Sequence, residues 1–132
     1  MTLSDRTATA ALATLILLQL VMLTALYAGV RPHPPEAIPL FGIAPFLGAS
    51  ASLAVSALIL GPLNNIAGRT LSVVSAIAAL VSFGPQKYLD AHFGLIWPAV
   101  ILGQVATLVL VVRVVRAVGQ QETGAAATAD SE

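Results

Sequence analysis

The chain has 132 residues, 58% of them hydrophobic and 9% charged, and its six basic and six acidic side chains cancel to a formal net charge of zero. That balance excludes a nucleic-acid partner, which needs a basic surface, and a disordered chain, which needs few apolar residues. Cysteine is absent, which removes disulfides, thiolate nucleophiles and Cys-ligated zinc or iron–sulfur chemistry.

Between Thr7 and Val30, and again between Leu95 and Val112, no Asp, Glu, Lys, Arg or His occurs. Roughly twenty consecutive apolar residues are enough for a helix to cross about 30 Å of hydrocarbon, and two more such stretches lie between these two. A soluble bundle would need a polar face on each helix, which these stretches lack. The expected fold is therefore an all-α, integral membrane four-helix bundle.

Spans are expected at about 8–30, 43–61, 66–83 and 95–117, all within one domain covering residues 1–118. The first stops at the proline-rich run Arg31-Pro32-His33-Pro34-Pro35-Glu36, where missing amides forbid helix. Its apolar stretch is longer than the 7 to 15 residue core of a signal peptide and no Ala-x-Ala site follows, so the span is expected to be retained. The second accepts Pro45 in its first turn and ends before Gly61-Pro62-Leu63-Asn64-Asn65. The third is short and is stopped by Gly84-Pro85. The fourth takes Pro98 in its first turn and leaves the membrane at Arg113 and Arg116, which are expected to snorkel to headgroups. The tail 119–132 is small, acidic and without periodicity, and is expected to be disordered.

Four spans put both termini on one side. Arg6, Arg69, Arg113 and Arg116 share that side against Arg31 and Lys87 on the other, so the positive-inside rule makes the termini cytoplasmic. The same threading gathers all seven aromatics, Tyr27, Phe41, Phe46, Phe83, Tyr88, Phe93 and Trp97, at the opposite end. Tyr27, Tyr88 and Trp97 then read as an interfacial belt. A multi-pass protein of a bacterial inner membrane is the expected setting.

Gln19 lies eight residues below Tyr27 and Gln104 seven below Trp97, which at about 1.5 Å per residue puts both near 10 to 12 Å deep. A carboxamide facing lipid leaves its polar atoms unpaired, so the two are expected to pair at the midplane or to contact a ligand. Ala44, Gly48, Ser52 and Ser56 recur every four residues and form a small-residue stripe that lets another backbone approach. Ser72 with Ala76, and Ser75 with Ala79, are the natural complement on span three. The loop 86–93 reads as a short interfacial helix, with Lys87 and Asp90 spaced to pair. His33, Glu36, Asp90 and His92 face one side, but their spacing matches no metal-ligand motif. No metal and no cofactor are expected.

The stretch Arg31–Pro39, containing Glu36-Ala37-Ile38-Pro39, resembles the loop after the first helix of membrane-bound glutathione-dependent enzymes. The later helices carry no counterpart of that family's other polar and tyrosine positions, so the resemblance implies nothing further for this chain.

Apart from Arg69, Arg113 and Arg116 near the span ends, no ionisable side chain lies inside a span, which argues against an ion-coupled carrier. Both histidines fall in loops, which argues against a pigment antenna. The leading expectation is a non-catalytic accessory, assembly or stabilising subunit of a larger membrane complex, or a homo-oligomer, with the lipid bilayer and a membrane-protein partner as its contacts. A second is a carrier of an apolar or lipid-like ligand, with Gln19 and Gln104 as the polar floor of a cavity. A third is a membrane enzyme acting on lipid-like substrates through His33, Glu36, Asp90 or His92.

Overall fold

A computed structural model of the chain describes residues 2–30 and 40–129. His33, Glu36 and the Arg31–Pro39 stretch lie outside the described residues, as does the side chain of Phe41. The described residues form four long helices, α1 (Leu3–Ala28), α2 (Leu40–Leu60), α3 (Ile66–Phe83) and α4 (Phe93–Ala129), with a 3-10 turn at Pro85–Leu89 and no strand among them. All four helices are long and apolar enough to cross a membrane.

Local chemistry sets the helix ends. Thr2 Oγ1 accepts from the Asp5 amide at 3.2 Å while Asp5 Oδ2 accepts from the Thr2 amide at 3.0 Å, a capping box that starts α1 at Leu3, before the first purely apolar residues. At the other end Gly29 takes a left-handed φ of 64°, the conformation in which a residue without Cβ closes a helix most cheaply. The α2–α3 turn is tied by Asn65, whose Oδ1 accepts from Gly68 N at 2.7 Å and whose Nδ2 donates to Leu60 O at 2.9 Å. Arg69 adds two more donors, Nε and Nη2, to Leu63 O at 3.0 and 2.9 Å.

Three expectations about the elements are corrected. Because α2 begins at Leu40 and α4 at Phe93, Pro45 and Pro98 are each the sixth helical residue rather than members of the first turn. Pro98 therefore removes an amide that would otherwise pair with the carbonyl of Gly94. The tail is also not disordered as far as it is described: α4 continues to Ala129. Gln120, Gln121, Glu122 and Ala125 to Ala127 are strong helix formers that outweigh Gly119 and Gly124, each costing about 1 kcal/mol relative to alanine. Arg69 Nη1 further donates to Gln121 Oε1.

Each helix packs against two neighbours, α1 and α3 both lying between α2 and α4. Cross-helix contacts show the alternating direction: Arg113 Nη1 of α4 donates to Ser4 near the start of α1, Arg69 near the start of α3 reaches Gln121 far along α4, and Phe83 at the end of α3 lies beside Gly103. One end of the bundle thus carries Arg6, Arg69, Arg113 and Arg116, and the other Tyr27, Phe46, Phe83, Tyr88, Phe93 and Trp97. The continuous core is built from Ala8, Leu12 and Leu15 of α1 with Ala54, Ala57, Ala76, Ala106 and Leu110 of the other helices. Its many alanines let backbones approach closely, which is how helices gain dispersion energy in a lipid solvent. At the aromatic end the packing opens. No α1 residue after Gln19 and no α4 residue before Val100 is buried.

Candidate functional site

Gln19 is 1% exposed, and its Nε2 donates to Ser50 Oγ on α2 at 2.6 Å. Its Oε1 has no hydrogen-bond partner among the described residues. Gln104 instead turns toward α3 and the 3-10 turn: Nε2 donates to Phe83 O at 3.1 Å and Oε1 accepts from Tyr88 Oη at 2.9 Å. The expected Gln19–Gln104 pair is therefore corrected. The two side chains meet different partners, Gln19 on α2 and Gln104 on α3 and the 3-10 turn, and the α1–α4 register set by Ser4 with Arg113 does not bring them face to face.

Gln104 has a definite local task. The last carbonyls of a helix have no intrahelical donor, and at the end of α3 two carboxamides from outside the helix supply them. Gln104 serves Phe83 O, while Gln86 Nε2 serves Leu80 O and Val81 O at 3.1 and 2.9 Å. Gln86 escaped sequence reasoning. Its signal was a carboxamide directly after the helix-stopping Gly84-Pro85.

The stripe Ala44, Gly48, Ser52 and Ser56 is not the buried face of α2. The buried face of α2 is Leu47, Ser50, Ala51, Ala54 and Ala57, and Ser52 lies on the far side of the helix from it. Ser52 is exposed and Ala44, Gly48 and Ser56 are half-buried. The two serine hydroxyls are satisfied within the helix, Ser52 Oγ on Gly48 O at 2.8 Å and Ser56 Oγ on Ser52 O at 2.9 Å. A side chain added at Gly48 would meet open space. The proposed complement, Ser72, Ser75, Ala76 and Ala79, is buried in the core instead.

Tyr27, Tyr88 and Trp97 are 73%, 46% and 50% exposed at the aromatic end. Tyr88 also packs on Phe93, with ring centroids 5.0 Å apart and the planes inclined at 52°. Phe83 is buried against Gly103, where an added Cβ would lie 2.9 Å from the phenylalanine Cβ.

Across the end of the 3-10 turn, Lys87 Nζ stands 3.9 Å from Asp90 Oδ2, the pairing expected from their spacing. Asp90 Oδ1 accepts from the His92 amide at 2.9 Å and lies 3.5 Å from His92 Nδ1. The His92 amide, helped by the Lys87 charge, holds the Asp90 carboxyl below its ordinary 3.8. Among the described residues no group of three or more metal-ligating side chains assembles.

These charges rim a cleft of about 240 Å³. Leu18, Val21, Met22 and Ala25 of α1 form one wall, and Leu95, Ile96, Ala99 and Val100 of α4 the other. Ser82 and Phe83 close its inner end. A cavity floored by Gln19 and Gln104 is not what forms: neither lines this cleft, whose polar groups are Ser82, Lys87, Asp90 and His92.

The chain matches no protein-family model, and no curated protein and no solved structure matches it.

Proposed function

We propose that this chain is a non-catalytic, multi-pass membrane protein that acts by packing against another membrane helix, as an accessory, assembly or stabilising subunit of a larger complex or as a homo-oligomer. The observation that carries this reading is the outward face of α2. There Ser52 is exposed, Ala44, Gly48 and Ser56 are half-buried beside it, and a side chain at Gly48 would meet nothing within the chain. Lipid chains gain little from such a face, whereas a second helix can approach it closely and gain dispersion energy along its length. Both serines already satisfy their hydroxyls internally, so a dry helix contact would strand no polar atom. In this reading the arginine end is cytoplasmic, the aromatic belt lies at the far interface, and the host is a bacterial inner membrane.

Native mass spectrometry of the protein, extracted gently from its own membrane, tests the reading. The expected spectrum contains a partner chain or a second copy at fixed stoichiometry. Gly48→Leu should release that partner while leaving the helical fold intact, because a side chain at this position meets nothing within the chain. A monomer without partner chains, or a complex indifferent to Gly48→Leu, would refute it.

A further inference from the structure

We propose that the cleft between α1 and α4 is a lipid site, taking one acyl chain of a phospholipid whose headgroup carries a phosphate and a primary ammonium. The walls are hydrocarbon, and the entrance is lateral, between Val21 and Leu95, each 66% exposed. The volume of about 240 Å³ is many times what a single small molecule such as water needs. It takes the upper part of one acyl chain, with the remainder continuing into the bilayer through the open side.

The rim identifies the headgroup. The Lys87 ammonium donates no hydrogen bond among the described residues, and its ion-pair partner Asp90 stands 3.9 Å away. Asp90 Oδ1 is occupied by the His92 amide, while Oδ2 faces Lys87. A loosely held cation and a partly occupied anion side by side complement a headgroup carrying both signs. Phosphate takes the Lys87 ammonium, a charge-assisted contact, and the lipid's own ammonium takes Asp90 Oδ2. A headgroup with net negative charge would meet Asp90 unfavourably, and a quaternary ammonium has no N–H to donate to it. The rim also stands at the end of the bundle that carries Tyr88 and Trp97, side chains that favour headgroup level, so chain and headgroup enter in the orientation a bilayer already imposes.

The test is native mass spectrometry of the full chain equilibrated in an equimolar mixture of phosphatidylethanolamine, phosphatidylglycerol and phosphatidylcholine with identical acyl chains. One phosphatidylethanolamine per chain should be retained in preference to the other two. Lys87→Gln should weaken that retention about tenfold, the loss of one charge-assisted hydrogen bond. Val21→Trp, at the exposed rim, should block the entrance to a similar degree, with helicity by circular dichroism confirming the fold; Ala99→Phe replaces it if the tryptophan variant loses helicity. No retained lipid, equal retention of all three, preference for phosphatidylglycerol or phosphatidylcholine, or retention unchanged in Lys87→Gln would each overturn the proposal.

Discussion

The two ends of this bundle are built differently. At the arginine end Ala8, Leu12, Ala57, Leu110 and Val114 are buried together, Arg69 clasps the α2–α3 turn, and Arg113 ties α4 to Ser4. At the aromatic end α1 buries nothing beyond Gln19 and α4 nothing before Val100, and a cleft stands between them. The contrast follows from side-chain size and backbone chemistry. Alanine and glycine at the facing positions of one end bring backbones together, whereas Leu18, Met22, Leu95 and Ile96 line the gap at the other, where Pro98 also interrupts α4. One end therefore holds the fold, leaving the other free to present a surface.

Core truncation should separate the ends most widely. Leu12→Ala removes a fully buried side chain and should cost roughly 2 to 5 kcal/mol, measured by reversible unfolding in mixed micelles, while Met22→Ala in the cleft wall should cost less than about 1. Equal costs would erase the distinction. Next come the glycines. Gly68→Ala places a Cβ 2.1 Å from the Gly61 carbonyl oxygen, so it should destabilise by about 1 to 3 kcal/mol despite alanine's better helix propensity. Gly48→Ala, facing open space, should instead stabilise by up to about 1 kcal/mol. Arg69→Met leaves the Leu63 carbonyl without its two donors and should cost about 1 kcal/mol in the same assay.

The smallest effect concerns pH at the aromatic end. Because folding lowers the Asp90 pKa below 3.8, its contribution is fully present above that value and is lost as pH falls through the lower folded value. The amide of His92 should therefore exchange faster as the medium is acidified below about pH 4, relative to the Gly68 amide bound to Asn65. Asp90→Asn should remove most of that dependence.

Four helices were legible because bilayer-length apolar runs leave few alternatives, and because Gly61-Pro62 and Gly84-Pro85 punctuate them. Rotation about each helix axis was not legible. In a helix that is apolar all round no polar stripe marks the outside, so nothing in α2 announced that Leu47, Ser50 and Ala54 would face inward and Gly48 outward. The same gap produced the Gln19–Gln104 expectation: counting along each helix gives neither the direction of a side chain nor the register between two helices. Ser50, the actual partner of Gln19, is one serine among several in α2. The Lys87–Asp90 pair was readable from its local spacing. The cleft above which it stands was not, because it arises from the divergence of α1 and α4, which are distant in sequence. The tail was misread by composition: small and acidic residues suggested disorder, yet Gln120 to Glu122 and the alanines that follow favour helix.

The most direct test of the two-ended architecture is amide hydrogen exchange of the intact protein in detergent micelles, resolved along α1 and α4. Segments with few buried contacts open more readily. Residues 20–28 and 93–99 should exchange well ahead of residues 8–15 and 106–114. Equal protection along both helices, or faster exchange at the arginine end, would contradict a bundle held at one end and open at the other.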